Sequence, residues 1–159
     1  LGAFFNFPDK TMAIGRLDVN SEGLLLLTTN GKVSEEIRSK KVEKEYYVQL
    51  DGCITQEDIN ILKSGVIIGF KGEKYTTKPC KSSLIPVPNF KDRTQKIRDE
   101  RHGPTSWISI TLKEGKFRQV RKMTAAVGFP TLRLIRIRVG SILLENLKLG
   151  EVKEVPSFF

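Results

Sequence analysis

The stretch Thr105-Ser106-Trp107-Ile108-Ser109-Ile110-Thr111-Leu112-Lys113, with the segments Phe117 to Val127 and Leu132 to Val139 behind it, decides the fold. Ile108, Ile110 and Leu112 fall on one face of the first segment and Trp107, Ser109 and Thr111 on the other, the period of a strand with one packed side and one more polar side. Phe117 to Val127 changes to a helical period: at about 100° per residue, Val120, Met123 and Val127 share one side. Leu132 to Val139 returns to a strand, with arginines interleaved among Leu and Ile. Upstream, Leu24 to Thr29 is an apolar run ending at Asn30-Gly31, which predicts a buried strand, then a helical segment from about Lys32 to Ser39. Glu45 to Leu50 is rich in strand formers and stops at the turn signal Asp51-Gly52. The next helix has a marked start, with Thr55 as cap, Asp58 three residues on, Ile54 and Ile59 spaced as a hydrophobic staple, and Gly65 as its stop. Val66 to Phe70 and Tyr75 to Ile85 read as further strands. Turns too irregular for repeated βαβ units predict an α+β fold, a mixed and largely antiparallel sheet with a few flanking helices.

Composition limits what such a chain can be. With 159 residues it suits one domain with a real core. At 39% hydrophobic and 28% charged it is too apolar for a disordered chain. Its longest apolar run, Leu24 to Leu27, is far short of the roughly 20 residues of a membrane span. The start lacks a signal-peptide pattern, and the expected location is the cytoplasm. Cys53 and Cys80 form no CxxC and have only His102 as a histidine, so neither a metal site nor a disulfide framework is expected. The net charge of +9 is uneven. Residues 78–138 hold 15 basic and 4 acidic side chains, while the segments on either side are each at −1. A solvated basic face is the bland explanation; a polyanionic partner, RNA or DNA before membrane, is the sharper one. Within this stretch Ser82 to Pro104 reads as a long basic excursion from the single domain spanning 1–159.

Two segments could carry chemistry. Ile14-Gly15-Arg16-Leu17-Asp18-Val19-Asn20-Ser21-Glu22-Gly23 is a polar turn that sets an acid at the rim of a sheet, where a carboxylate can meet a substrate. The plainer reading is that Asp18 caps its own turn through its side chain. In Glu114-Gly115-Lys116-Phe117-Arg118-Gln119-Val120-Arg121-Lys122-Met123, the helical period turns Arg118 and Lys122 outward as phosphate contacts. Arg121 falls at the edge of the apolar side, where its guanidinium needs an anion. That anion is either a structural salt-bridge partner or a catalytic carboxylate held ionised and oriented.

Gly15-Arg16-Leu17-Asp18 with Ser21-Glu22-Gly23-Leu24-Leu25-Leu26-Leu27-Thr28 resembles the signature of RNA pseudouridine synthases of the RsuA group. Lys44-Glu45-Tyr46-Tyr47-Val48, Arg118-Gln119-Val120-Arg121-Lys122-Met123 with Val127-Gly128, and the closing run through Gly140 to Leu147–Glu151 resemble it too. Pro104-Thr105-Ser106-Trp107 and Gly128-Phe129-Pro130-Thr131-Leu132-Arg133-Leu134-Ile135-Arg136 look most like members acting on large-subunit ribosomal RNA.

The resemblance implies a catalytic domain with a central cleft that turns a uridine of ribosomal RNA into pseudouridine without cofactor or metal. Asp18 would be the catalytic aspartate, Tyr46 would stack on the target uracil, and Arg121 would pair with Asp18. Arg16 would support the flipped-out nucleotide, and Leu134 would pack beneath the base. Lys44, Arg118, Lys122, Arg133 and Arg136 would join the RNA-binding set, with RNA lying across Lys78 to Arg138 and the protein acting as a monomer. Members usually carry a strand and a Lys-Pro-x-Gly motif ahead of the Gly-Arg-Leu-Asp turn; Leu1 lies 14 residues before Gly15, which suggests a chain lacking its N-terminal strand. Two other readings compete. One is a non-catalytic ribosome-associated RNA-binding protein; the other is a small-molecule hydrolase on Asp18 and Glu22, which leaves the basic stretch unexplained.

Overall fold

Residues 105–112 form a strand at the heart of the sheet that organises the chain. The computed structural model describes residues 2, 4–39, 42–90 and 103–158. Its elements run β1 (Met12–Ala13), β2 (Glu22–Gly23), β3 (Leu27–Thr28), α1 (Gly31–Ser39), β4 (Lys44–Asp51), α2 (Gln56–Ser64), β5 (Ile67–Phe70), β6 (Glu73–Thr76), β7 (Lys81–Ile85), β8 (Thr105–Leu112), α3 (Gln119–Ala126), β9 (Thr131–Val139) and β10 (Ile142–Leu143). The main sheet has the order β10-β9-β4-β8-β7, with β2 added in parallel along the side of β9 away from β4. Its other pairings are antiparallel. Short two-stranded sheets, β1-β3 and β5-β6, stand beside it. The architecture is the α+β, largely antiparallel arrangement that the sequence predicts. Among the described residues no helix is long and apolar enough to cross a membrane.

Register assigns the faces. Residues directly opposite one another share a side of the sheet, so Tyr46 and Val48 of β4 lie level with Ile110 and Ile108 of β8 and with Arg136 and Leu134 of β9. Val48, Leu50, Ile108, Ile110 and Leu134 form the main core, closed by Ile59 and Leu62 of α2 and Val120 and Met123 of α3. Each such aliphatic side chain contributes about 1.5–3 kcal/mol through its burial. The opposite face of β8 is less polar than its alternation suggests, because Trp107 and Thr111 are buried as well. A second cluster joins Ile14, Leu24, Leu26, Ile37 and Val139.

Three local expectations need correction. The run Leu24 to Thr29 is not one strand: β2 ends at Gly23 on β9, β3 begins at Leu27 on β1, and the buried Leu24 and Leu26 cross between them. Tyr75 to Ile85 divides into β6 and β7, because Thr77 turns back onto Val66 with backbone and side chain. The third helix starts at Gln119 rather than Phe117, with Arg118 ahead of it at a left-handed φ of 52°. Of the basic excursion expected over 82–104, residues 82–85 belong to β7 and residues 91–102, His102 among them, lie outside the described residues.

The start of α2 follows its sequence signals. Thr55 Oγ1 accepts from the Asp58 N–H and Asp58 Oδ2 accepts from the Thr55 N–H, each at 3.3 Å, while Ile54 and Ile59 enter the same core. Gly65 ends the helix at φ 106°, where a Cβ would lie 2.3 Å from the Thr77 carbonyl oxygen. Replacing Thr55 with Ala should lower stability by about 1 kcal/mol, read as a shift of the urea midpoint at unchanged slope.

Cys80 packs under α2 with its thiol toward the Leu62 carbonyl. Burial first, and then the charge of Glu114, pushes that thiol up to about 11 from an ordinary value of 9.0. The folded value lies above the unfolded one, so its contribution to stability is complete below pH 9 and disappears as pH climbs toward 11. At pH 8.5 iodoacetamide should therefore modify the exposed Cys53 in the folded protein and reach Cys80 only in denaturant, as peptide mass mapping will show.

Candidate active site

Arg136 occupies the packed face of β9 opposite Tyr46 and is only 5% exposed. A guanidinium so deep must find acceptors, since an unsatisfied buried charge is strongly destabilising. Its Nε donates to the Leu24 carbonyl at 2.8 Å and its Nη1 to the Arg16 carbonyl at 3.3 Å. The backbone of the same residue receives the chain's return: the Leu24 N–H donates to the Arg136 carbonyl at 2.8 Å. Both ends of the Gly15–Gly23 turn are thereby tied to one residue of β9.

Gly23 makes this approach possible. At its φ of 106° a Cβ would come within 2.2 Å of the Arg136 carbonyl oxygen and 2.7 Å of its nitrogen. Inside the turn, the Asp18 carbonyl accepts from the Ser21 N–H at 2.9 Å. The main chain thus closes the turn, and the Asp18 carboxylate faces two guanidiniums instead. Its Oδ2 lies 3.9 Å from Arg121 Nε and 3.9 Å from Arg118 Nη1. Arg121 also grips the turn itself, donating from Nη2 to the Asn20 carbonyl and to Ser21 Oγ, each at 3.1 Å. Positions 18 and 121, remote in sequence, meet as expected.

Arg118 corrects the sequence reading. It precedes the helix in a left-handed conformation, so the helical wheel that turned it outward does not apply. Its Nη1 points to Asp18 and Asn20. Lys122 is on the helix, but its ammonium donates to the Gly69 carbonyl of β5 at 3.0 Å. Arg133 is buried rather than exposed on a binding surface. Arg133 forms a fork with Glu22, both N–H···O distances being 2.9 Å, and so secures β2 from the far face of β9. Leu134 is part of the main core. Arg136 is a buried tie behind the site, and the exposed Arg16 supplies it with a carbonyl.

Tyr46 and Lys44 complete the floor. Burial pushes the Tyr46 hydroxyl above the usual phenol range, with the Asp18 charge acting the same way, and the hydrogen-bonded Arg136 guanidinium opposes them. The phenol stays protonated, within electrostatic reach of Asp18. Lys44, two residues earlier on the strand, is held below the usual lysine range by burial and then by repulsion from Arg136.

Sequence reasoning missed Asn20, Ser21 and Glu22 as partners of the arginines, and it missed the hub at Glu114. That carboxylate accepts from the Tyr75 hydroxyl, the Lys78 N–H and the Gln119 amide, which outweigh burial and hold it below the ordinary carboxylate range. Among the described residues no three of His, Cys, Asp and Glu gather as they would around a metal ion.

The model of the family described as RNA pseudouridylate synthase matches residues 4–126. The chain belongs to the RNA pseudouridylate synthase family. Its relatives include ribosomal large subunit pseudouridine synthase E of Vibrio parahaemolyticus, 41% identical over 145 residues, 90% of this chain and 59% of the relative. The protein of that name in Xanthomonas axonopodis pv. citri is 37% identical over 148 residues, 91% of this chain and 76% of the relative. A solved pseudouridylate synthase superposes with a TM-score of 0.73 at 32% identity, over 94% of this chain and 58% of that one. The first relatives are matched over only 59% and 62% of their own lengths.

In this pseudouridylate synthase family member, the position of Asp18 depends on the close seat of Gly23 against β9. Gly23→Ala should therefore cost about 3 kcal/mol of stability in urea unfolding, because the clash is with backbone and the positive φ is strained for any side chain.

Proposed function

We propose that this chain is the catalytic domain of an enzyme that isomerises a uridine of large-subunit ribosomal RNA to pseudouridine, with Asp18 as the catalytic residue. The observation that carries this reading is the Asp18 carboxylate between Arg118 and Arg121 in a turn fastened at both ends to Arg136. The names of relatives at 36–41% identity support the substrate class.

The reaction breaks N1–C1′, turns the freed uracil, and joins C5 to C1′; the C5 proton leaves and N1 takes one up. There is no redox change and no net transfer, so the chemistry calls for neither cofactor nor metal. A carboxylate can act as nucleophile at C1′ or as the base that removes the C2′ proton, and both routes are open to Asp18. Arg121 restrains the loop at Asn20 and Ser21 and holds the carboxylate in place. Arg118 brings a second cation to the same oxygen, where an incoming phosphate would find it. Tyr46 offers a ring for the flipped base, and such stacking offsets part of the unstacking cost, about 1–3 kcal/mol. The proposal has the protein acting as a monomer in the cytoplasm.

Tritium release from ribosomal RNA labelled at uridine C5 tests the proposal. The parent chain should release label, and Asp18→Asn should lose at least about 10³-fold in rate while RNA affinity changes little. Release at the parental rate by Asp18→Asn would falsify the mechanism. Salt-sensitive binding without release by the parent chain would favour a binding module instead.

A further inference from the structure

Resting on the proposed activity at Asp18, we propose that Phe117 is a stacking post for an unpaired RNA base next to the target uridine, with Lys116 and Lys122 set beside it for the neighbouring phosphates. Asp18 and Arg118 each carry an apolar neighbour out into solvent. Val19 follows Asp18 and is 99% exposed; Phe117 precedes Arg118 and is 56% exposed. The Phe117 ring stands in water between the site cation Arg118, which follows it in the chain, and the ammonium of Lys122.

Phe117 is exposed on a stiff segment. The Lys116 N–H donates to Gln119 Oε1 at 3.0 Å, the Gln119 N–H donates to the Lys116 carbonyl at 3.1 Å, and the Gln119 amide is fixed to Glu114. The left-handed backbone at Arg118 then sends its guanidinium to Asp18 immediately after Phe117. A ring presented this way loses little freedom on binding, which favours affinity.

The cations around it are also arranged in advance. Lys122 Nζ sits 5.3 Å from the Phe117 ring centroid while donating to the Gly69 carbonyl. Lys116 Nζ lies 5.0 Å from the Phe70 ring and 5.2 Å from the Tyr75 ring. These contacts join the loop before α3 to the β5-β6 hairpin in one cationic, aromatic surface continuous with Arg118. Rings and ammonium groups together are what an unpaired nucleotide strand requires, and sequence-tolerant stacking suits a base beside the target. A protein partner would more naturally use an acidic face here, and is an outcome of the test.

The probe is a uridine dodecamer with a single 2-aminopurine, whose fluorescence falls when the base stacks on a ring, compared with a blunt RNA duplex of equal length. The parent chain should bind the single strand with quenching. Phe117→Leu should weaken binding about tenfold and lose most of the quenching, whereas Phe117→Trp should keep both. Because Phe117 is exposed, both variants should melt with the parent in circular dichroism. Parental binding and quenching by Phe117→Leu would overturn the proposal, as would equal preference of the parent for the duplex, or no RNA binding at all. The tritium assay on Asp18→Asn reports separately on the catalytic reading, so failure of one is distinguishable from failure of the other.

Discussion

A guanidinium inside a sheet must be answered by oxygen atoms, and beside the Tyr46 hydroxyl the oxygens that answer Arg136 are the carbonyls of Arg16 and Leu24. These two residues bracket the turn bearing Asp18, so the solvation of one buried cation sets the location of the carboxylate. Side chains alternate along a strand with period two, and a one-residue slip of β9 against β4 would carry Arg136 to the other face and release the turn. Arginine suits the position because its planar fork serves two acceptors at once, which an ammonium point charge does less well.

Around that tie the site is strongly cationic about a single acid. Arg118 and Arg121 flank Asp18, while Lys44 and Arg136 lie beneath with Tyr46. Such a field favours an anionic polymer that brings phosphates to the rim. Among the described residues of the basic stretch, the three arginines of β9 are nevertheless taken up by partners within the fold. Arg133 pairs with Glu22, Arg138 pairs with Glu45, and Arg136 serves main-chain carbonyls. Among the described residues, Lys116, Arg118 and Lys122, before and on α3, are cations next to the site that a ligand could meet.

The legible parts of the chain were those governed by short-range rules. The strand at 105–112, the capped helix at 56–64 and the sheet strand at 44–51 each carry their own alternation, cap or turn signal. Motif resemblance singled out Asp18, Tyr46 and Arg121 and implied that positions 18 and 121 meet, whereas the helical period by itself said only that Arg121 needs an anion. The failures share a cause. Leu24 to Thr29 looked like one strand because apolarity reports burial but not pairing, and its residues are buried while passing from one sheet to another. Arg118 was turned the wrong way because a left-handed residue before the helix shifts the start of the wheel, and no local signal marks it. Arg133 looked available because the alternation of β9 does not reveal that both its faces are covered.

Residue order alone was enough for the α+β class and the position of most elements. These depend on periods of 2.0 and 3.6 and on turn chemistry, all of which act over a few residues. The pairing of β2 with β9, the inward fork of Arg133 and the joint hold of Arg118 and Arg121 on Asp18 belong to the folded molecule. They bring together groups about a hundred positions apart, and which buried charge meets which acceptor is decided only when the sheet closes and every polar group in it must find a partner.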